Sequence, residues 1–471
     1  MKNHLRKKKE FFKKTLKELK NLTNLKIEFK YNAGWSSLVA RQAHNLKVGG
    51  SNPSPATKLL MKIKLLDRFS FFLLSVFPLS LIGGNLFINA FIFLFSINFF
   101  LNFRENKIII KNQIFYLMIF FFISLIINVI FSTDPLNSFP RAVKILLIIF
   151  FVFEIKRLIK SYKTSYTKYI FLSWFCIFLI VIFDIVFELI FGHNMIGNSS
   201  NLHGMHGRIA SFFGDELVVG AFYHGFVLFF LSYCFLELKP KNNILLFLIL
   251  GTILISFLIG ERTNFIKSFI SIILFISLSI KINFKTKIAG LAVVFAVIFT
   301  FIYFNPGYKL RFFDQLKPLF SANGYSNFLK KSQYGAHRNA SVKILKENLY
   351  FGVGIKNFRY EVSKKKYENK EYKATNMRQS THPHQIHHEF LSETGLFGYI
   401  SFLLFIFFSL YLGIKNYLKE KNLYQLSSII FIMTTLMPIL TSGSFLSTFT
   451  SSIFWLNYAI MISFIQKNKV S

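Results

Sequence analysis

Residues Gln113 to Phe131 read QIFYLMIFFFISLIINVIF, 19 positions without one charge. A run of roughly 18 or more apolar residues is long enough to cross a bilayer as a helix. Working outward, runs of the same kind recur at 69–84, 86–103, 142–158, 169–191, 217–236, 244–260, 264–280 and 288–304, then at 395–414, 425–441 and 450–466. The chain has 471 residues, 53% hydrophobic and only 16% charged, with 63 Phe. Soluble domains carry about 25% charged residues. The pattern excludes a soluble globular enzyme, a coiled coil and a disordered tail protein. The expected fold is an all-α polytopic membrane protein of about twelve transmembrane helices.

Net charge is +35, which raises the question of nucleic-acid binding. Its distribution argues otherwise. Residues 1–60 contribute +11 and the rest +24, the latter mostly as small clusters between apolar runs. Cytoplasmic loops of membrane proteins carry such an excess. Cations fall in alternate loops: Arg104/Lys107/Lys111, Lys156/Arg157/Lys160/Lys163/Lys168, Lys239/Lys241, Lys281/Lys285/Lys287, Lys415/Lys419/Lys421 and Lys467/Lys469. The loops between them, at 83–85, 132–138 and 441–444, are nearly free of cations. Both termini are therefore expected in the cytoplasm, and no nucleic-acid partner is expected. Cys176 and Cys234 each lie within an apolar run and are expected to be buried free thiols.

The first sixty residues differ from the rest. Codons for Gly50-Ser51-Asn52-Pro53 can be written GGT-TCG-AAT-CC, the T-arm consensus of a transfer RNA gene, and Ala56-Thr57 can be read into an acceptor CCA. Residues 1–60 are thus expected to be a non-native leader from a start assigned too early, with Met61 as the true start. A basic cytoplasmic arm is the alternative.

This register leaves two long segments on the outer side, the loop 192–216 and the segment 305–394 between spans nine and ten. Connections this long are usually functional. The chain then divides into spans one to nine at 61–304, the outer domain at 305–394, and spans ten to twelve at 395–471. Outside the leader there are nine histidines, and eight lie in the two outer segments: His193, His203, His206, His337, His382, His384, His387 and His388. The densest stretch is 381–398, THPHQIHHEFLSETGLFG, where titratable groups meet the start of a span. Histidine is poised near neutral pH and serves as a general base. A metal site competes, because His382, His384, His387 and His388 have ligand-like spacing. No Cys accompanies them and no HExxH pattern is present. A solvated loop without chemistry is the third reading.

His384-Gln385, nine further residues and Gly395-Leu396-Phe397-Gly398 resemble the H-[N/S/Q]-x9-G-x-x-G signature of the O-antigen ligase and polymerase superfamily. Residues 207–216 (GRIASFFGDE) are similar to that family's arginine-bearing loop, and Gly260-Glu261-Arg262-Thr263 to its second arginine motif. Residues 338–358 resemble its R…W…NP-GxG block, though without the Trp and with Leu349-Tyr350 where a Pro is expected.

The resemblance implies a bacterial inner-membrane glycosyltransferase of lipopolysaccharide or polysaccharide biosynthesis. It would move a glycan from undecaprenyl diphosphate to an acceptor hydroxyl at the periplasmic face. The acceptor is lipid A-core for a ligase, or a lipid-linked repeat for a polymerase. It further implies that Arg208 and Arg262, with Arg338 as a third candidate, bind the diphosphate. His384 takes the acceptor proton, and neither metal nor cofactor is needed.

Guanidinium forks match phosphate oxygens and keep their charge. Each arginine has a plainer role as a membrane-boundary anchor. Glu393 either orients His384 or caps the following helix. Asp184 and Glu188, one turn apart near the outer end of span five, are candidate partners of the arginines. Gly395 and Gly398 are read as packing positions. A flippase of similar span number is the competing class, but no internal repeat of the transporter kind is visible. A non-catalytic scaffold is the third class.

Overall fold

A computed structural model describes residues 55–103, 111–162, 165–199, 207–214, 217–279, 284–320 and 322–466. The leader reading of residues 1–54 lies outside these, as do His203, His206, Asp215, Glu216 and the loop cations Arg104, Lys107, Lys163, Lys281, Lys467 and Lys469. The chain divides between Leu59 and Leu60, and apart from the first residues of one helix everything below concerns the second unit.

A helix stands at each expected apolar stretch. These are α1 (Pro55–Ile82), α2 (Asn85–Leu101), α3 (Gln113–Ile130), α4 (Pro135–Ser161), α5 (Ser165–Phe191), α6 (Val219–Tyr233), α7 (Asn242–Leu258), α8 (Arg262–Ser279) and α9 (Phe284–Phe304). The outer segment holds α10 (Gly324–Lys331) and α11 (Gln333–Glu347). Then follow α12 (Ile386–Glu420), α13 (Leu423–Thr435) and α14 (Thr448–Ser463). No strand occurs among the described residues. Asn112, Asp134 and Asn422 each start a helix by accepting a hydrogen bond from a backbone N–H of its first turn, which satisfies one of the otherwise unpaired donors there.

By length and apolarity, six helical segments among the described residues qualify as membrane spans: 65–82, 113–130, 167–191, 219–238, 262–279 and 386–420. A seventh arises if α9 and the piece 306–314, bent by 108° at Asn305, count together. Three further apolar helices, α2, α7 and α13, are shorter. The bundle is inverted relative to a soluble protein. Phe72, Phe93, Phe183, Phe247, Phe299 and Phe407 are exposed on its surface, an apolar exterior that suits lipid rather than water. Nearly every residue of α6, α13 and α14 is buried, so these three form the centre.

Polar contacts join several helix ends. Lys168 pairs with Glu237 at 2.6 Å, and Tyr417 donates to the carbonyl of Leu278. Cation-bearing loops thus meet at one end. Two expectations need correction there. Lys156 and Arg157 are not loop cations: both lie within α4 and are buried. Arg157 is paired with Asp67 of α1 and with Glu154, whose Oε1 also accepts from Asn98 of α2 at 2.7 Å. A basic cluster in sequence had hidden a buried ion network, and such a charge stays inside only when paired. Of the two cysteines, Cys234 is buried as expected but Cys176 is exposed on α5, so its place in an apolar run marks an outward face.

Candidate active site

At the opposite end, two turns hinged on glycines stack backbone to backbone, and the short helix Pro306–Lys309 packs against them through Gly307. Gly207 and Gly260 have φ of +76° and +78°, conformations that side chains disfavour. A Cβ on Gly260 would lie 1.8 Å from the Gly207 carbonyl oxygen, and one on Gly207 would lie 3.0 Å from the backbone of Gly307. Ile209 N–H donates to the Ile259 carbonyl at 3.1 Å. The two turns carry Arg208 and Arg262, and Arg311 follows the short helix.

Arg208 pairs with Glu261 at 3.1 Å and donates to the Leu217 carbonyl at 2.8 Å. Arg262 donates to the Arg311 carbonyl at 3.1 Å, and Arg311 Nε to the Gly260 carbonyl at 3.0 Å. The three guanidinium groups are close enough to repel one another, and Glu261 is the acid among them. Like charges so gathered favour an anion at that place. Asp184 and Glu188 accept hydrogen bonds from backbone N–H groups and a serine hydroxyl of this loop. Asp184 accepts from Ser211 Oγ at 2.6 Å and Met195 N–H at 2.8 Å, while Glu188 accepts from Ser211 N–H at 2.6 Å. Both are buried and fix the turn that bears Arg208.

The histidine-rich stretch runs beside α11. His384 has φ of +56°, unusual for a side chain with a Cβ, and such strain costs about 1–3 kcal/mol and concentrates at functional sites. The conformation is held from both sides. Ser442 N–H donates to the His384 carbonyl at 2.8 Å, and the Gln385 side chain caps α12 by accepting from His388 N–H at 2.8 Å. The His384 ring stacks on His337 at 5.0 Å and lies 4.1 Å from His382, with Nε2 3.1 Å from Ser380 Oγ. Burial, helped by the neighbouring histidines, lowers His384 to about 3. Burial lowers His382 to about 4, with Lys356 adding to it, and it depresses His337 as well. These imidazoles are neutral near pH 7. His387 is bound elsewhere, to Tyr399 and the Leu436 carbonyl, both at 2.8 Å. Among the described residues, no three His, Cys, Asp or Glu side chains converge to hold a metal ion.

The spacing from His384 to Gly395 has a structural reason. α12 begins at Ile386 and is broken at Gly395, with φ 65° and ψ −170°. The segment 349–354 inserts at the break. Leu396 and Phe397 N–H donate to the Leu349 and Tyr350 carbonyls, while Val353 and Gly354 N–H donate to those of Ser392 and Glu393. Backbone groups freed by the kink are thereby satisfied, as buried groups must be. Glu393 is fully buried and accepts from Lys356 N–H at 2.8 Å, so it holds the glycine turn and does not touch His384. Gly398 faces the side chain of Thr394.

Tyr334 joins the two halves. Its ring presents edge contacts to His384 at 6.0 Å and His337 at 6.4 Å, and it lies within electrostatic reach of Arg262 and Arg311. Tyr334 is thus near both His384 and Arg262, the latter clustered with Arg208. Arg338 stands apart from the arginine cluster: it is exposed, bonds Tyr325 at 2.9 Å and lies near His388. Sequence reading passed over Arg311, Tyr334 and Lys356. Arg311 sits in a basic segment where no single cation stands out. Lys356 is a buried lysine beside Glu389 at 3.9 Å, and both bond Ser444. No periodicity marks it.

A polytopic helical membrane protein with a cationic cluster and neutral histidines at one membrane face is the class these features define. Residues 244–403 match the family model described as O-antigen ligase. The matched stretch includes Arg262, Arg311, Tyr334, Arg338 and His384, while Arg208 precedes it. No curated protein matches the chain.

Proposed function

We propose that the protein transfers a glycan from undecaprenyl diphosphate to an acceptor hydroxyl at the periplasmic face of the bacterial inner membrane, with both termini cytoplasmic. It is read as a ligase using lipid A-core as acceptor. The observation that carries the reading is the nearness of Tyr334 to both His384 and Arg262, the latter clustered with Arg208, in a chain matched over residues 244–403 to the O-antigen ligase family.

In the proposed step the acceptor oxygen attacks the anomeric carbon of the donor sugar, and its proton passes to the neutral His384 ring. The carbon–oxygen bond to the diphosphate breaks, and its electron pair stays on the phosphate oxygen. Arg208 and Arg262 meet that growing charge. Prearranged donors of this kind usually provide the largest share of a rate enhancement. Asp184, Glu188 and Glu393 act through the backbone turns that they hold. No metal or cofactor enters the step.

The test uses the full-length protein in nanodiscs beside His384→Ala, with an undecaprenyl diphosphate-linked glycan and two acceptors, lipid A-core and a second lipid-linked repeat. Label on lipid A-core supports a ligase, and a ladder on the lipid carrier means a polymerase. Transmembrane movement of labelled lipid without either product overturns the transferase reading in favour of a flippase.

A further inference from the structure

Tyr334 is the second residue of α11, whose start is held in place. Ser332 caps it by accepting from Gly335 N–H at 3.2 Å. A Cβ on Gly335 would lie 1.8 Å from the Leu329 carbonyl oxygen, so the backbone has no room to slide. The ring is half-buried, with its contacts directed at His337 and His384. Its hydroxyl makes no hydrogen bond among the described residues, and the residue lies within electrostatic reach of Arg262 and Arg311. Guanidinium groups donate hydrogen bonds and accept none. A hydroxyl with no protein acceptor beside them is free to donate to an anion that they hold. A phosphate oxygen bound by Arg262 and Arg311 would be such an anion.

We propose that Tyr334 is a substrate-contacting residue. Its hydroxyl donates a hydrogen bond to the diphosphate of the lipid-linked donor and turns the breaking carbon–oxygen bond toward His384. Arg311 is the third cation of that site. The proposal rests on the transferase reading above and adds the residue that ties leaving-group binding to the base. As the glycosyl–oxygen bond breaks, charge grows on the phosphate, so this hydrogen bond strengthens in the transition state. Its loss then falls on kcat more than on donor KM.

The experiment compares wild type, Tyr334→Phe, Tyr334→Leu and Arg311→Gln, full length in nanodiscs, for thermal stability and for transfer from an undecaprenyl diphosphate-linked glycan. Phe keeps the ring against both histidines and removes only the hydroxyl. The expected result is a wild-type melting temperature for Tyr334→Phe with kcat lowered roughly 10- to 100-fold, the range for a hydrogen bond to a charged group. Tyr334→Leu is expected to lose stability as well. Arg311→Gln is expected to weaken binding of undecaprenyl diphosphate itself. Transfer by Tyr334→Phe within twofold of wild type overturns the proposal while leaving His384 and the reaction class intact. So does a loss that only parallels a lower melting temperature. Absence of transfer by wild type, with folding intact, instead strikes the underlying transferase reading.

Discussion

Replacing Gly260 with alanine should disable transfer by displacing the arginine turns, without altering any charged group. The φ of Gly260 is +78°, and a left-handed conformation costs an ordinary residue about 1–2 kcal/mol. The larger effect is steric. The new Cβ would lie 1.8 Å from the Gly207 oxygen, 2.8 Å from its carbonyl carbon and 3.1 Å from Arg208 Cα. These are all backbone atoms, so no side chain can rotate away. Ordinary C···O contacts begin near 3.3 Å, and the Gly207–Arg208 turn must retreat by roughly 1.5 Å. A misplacement of about 1 Å at a reacting site costs on the order of 100-fold in rate. Gly260→Ala is therefore expected to lose at least about 100-fold in transfer. Gly251→Ala is the control: that glycine lies in α7, and a Cβ added there would meet nothing within 4 Å. Alanine at that position should keep activity and raise stability by up to about 1 kcal/mol. Both are read by glycan transfer in nanodiscs and by thermal unfolding. Wild-type transfer by Gly260→Ala would refute the claim that the stacked turns position Arg208 and Arg262.

Three more outcomes follow from the same contacts. Gly395→Ala places a Cβ 2.4 Å from the Tyr350 oxygen at a φ of +65°, so unfolding should come at lower temperature and protease should cut near 349–354 first. Ser444→Ala leaves the buried Lys356–Glu389 pair without its shared hydroxyl. A destabilisation of about 1–3 kcal/mol is expected, measured by chemical unfolding. The third concerns pH. His382 and His384 take up protons only near 4 and 3 when folded, because burial disfavours the cation, whereas the unfolded chain does so near 6.5. Their stabilising effect is full above about 6.5 and is lost as pH falls through that window. Melting temperature should drop between pH 7 and 4.5, and His382→Asn should flatten the slope.

The apolar runs made the helices legible, because a bilayer asks for uninterrupted hydrophobic length. The match over residues 244–403 accords with the motif read around His384 and Gly395. What escaped reading depends on contacts between distant parts of the chain. Arg157 looks like a loop cation until Asp67, 90 residues away in sequence, is placed beside it. Arg311 looks like one basic residue among many until Gly307 stacks under Gly207. The start of α12 was hidden because Ile386–Thr394 is too polar to read as membrane, yet Gln385 caps it as a helix. Gly395 showed as a motif position, but its role as the point where 349–354 enters a broken helix required the backbone.

The most direct test separates binding from chemistry at the two halves of the site. Binding of undecaprenyl diphosphate and transfer of its glycan are measured for wild type, Arg208→Gln, Arg262→Gln and His384→Ala in nanodiscs. The expected result is weakened binding for both arginine variants, and near-normal binding with a loss of about 10²–10⁴-fold in transfer for His384→Ala. Unchanged binding by the arginine variants, or full transfer by His384→Ala, would contradict the assignment of the leaving group to the arginines and of the proton to His384.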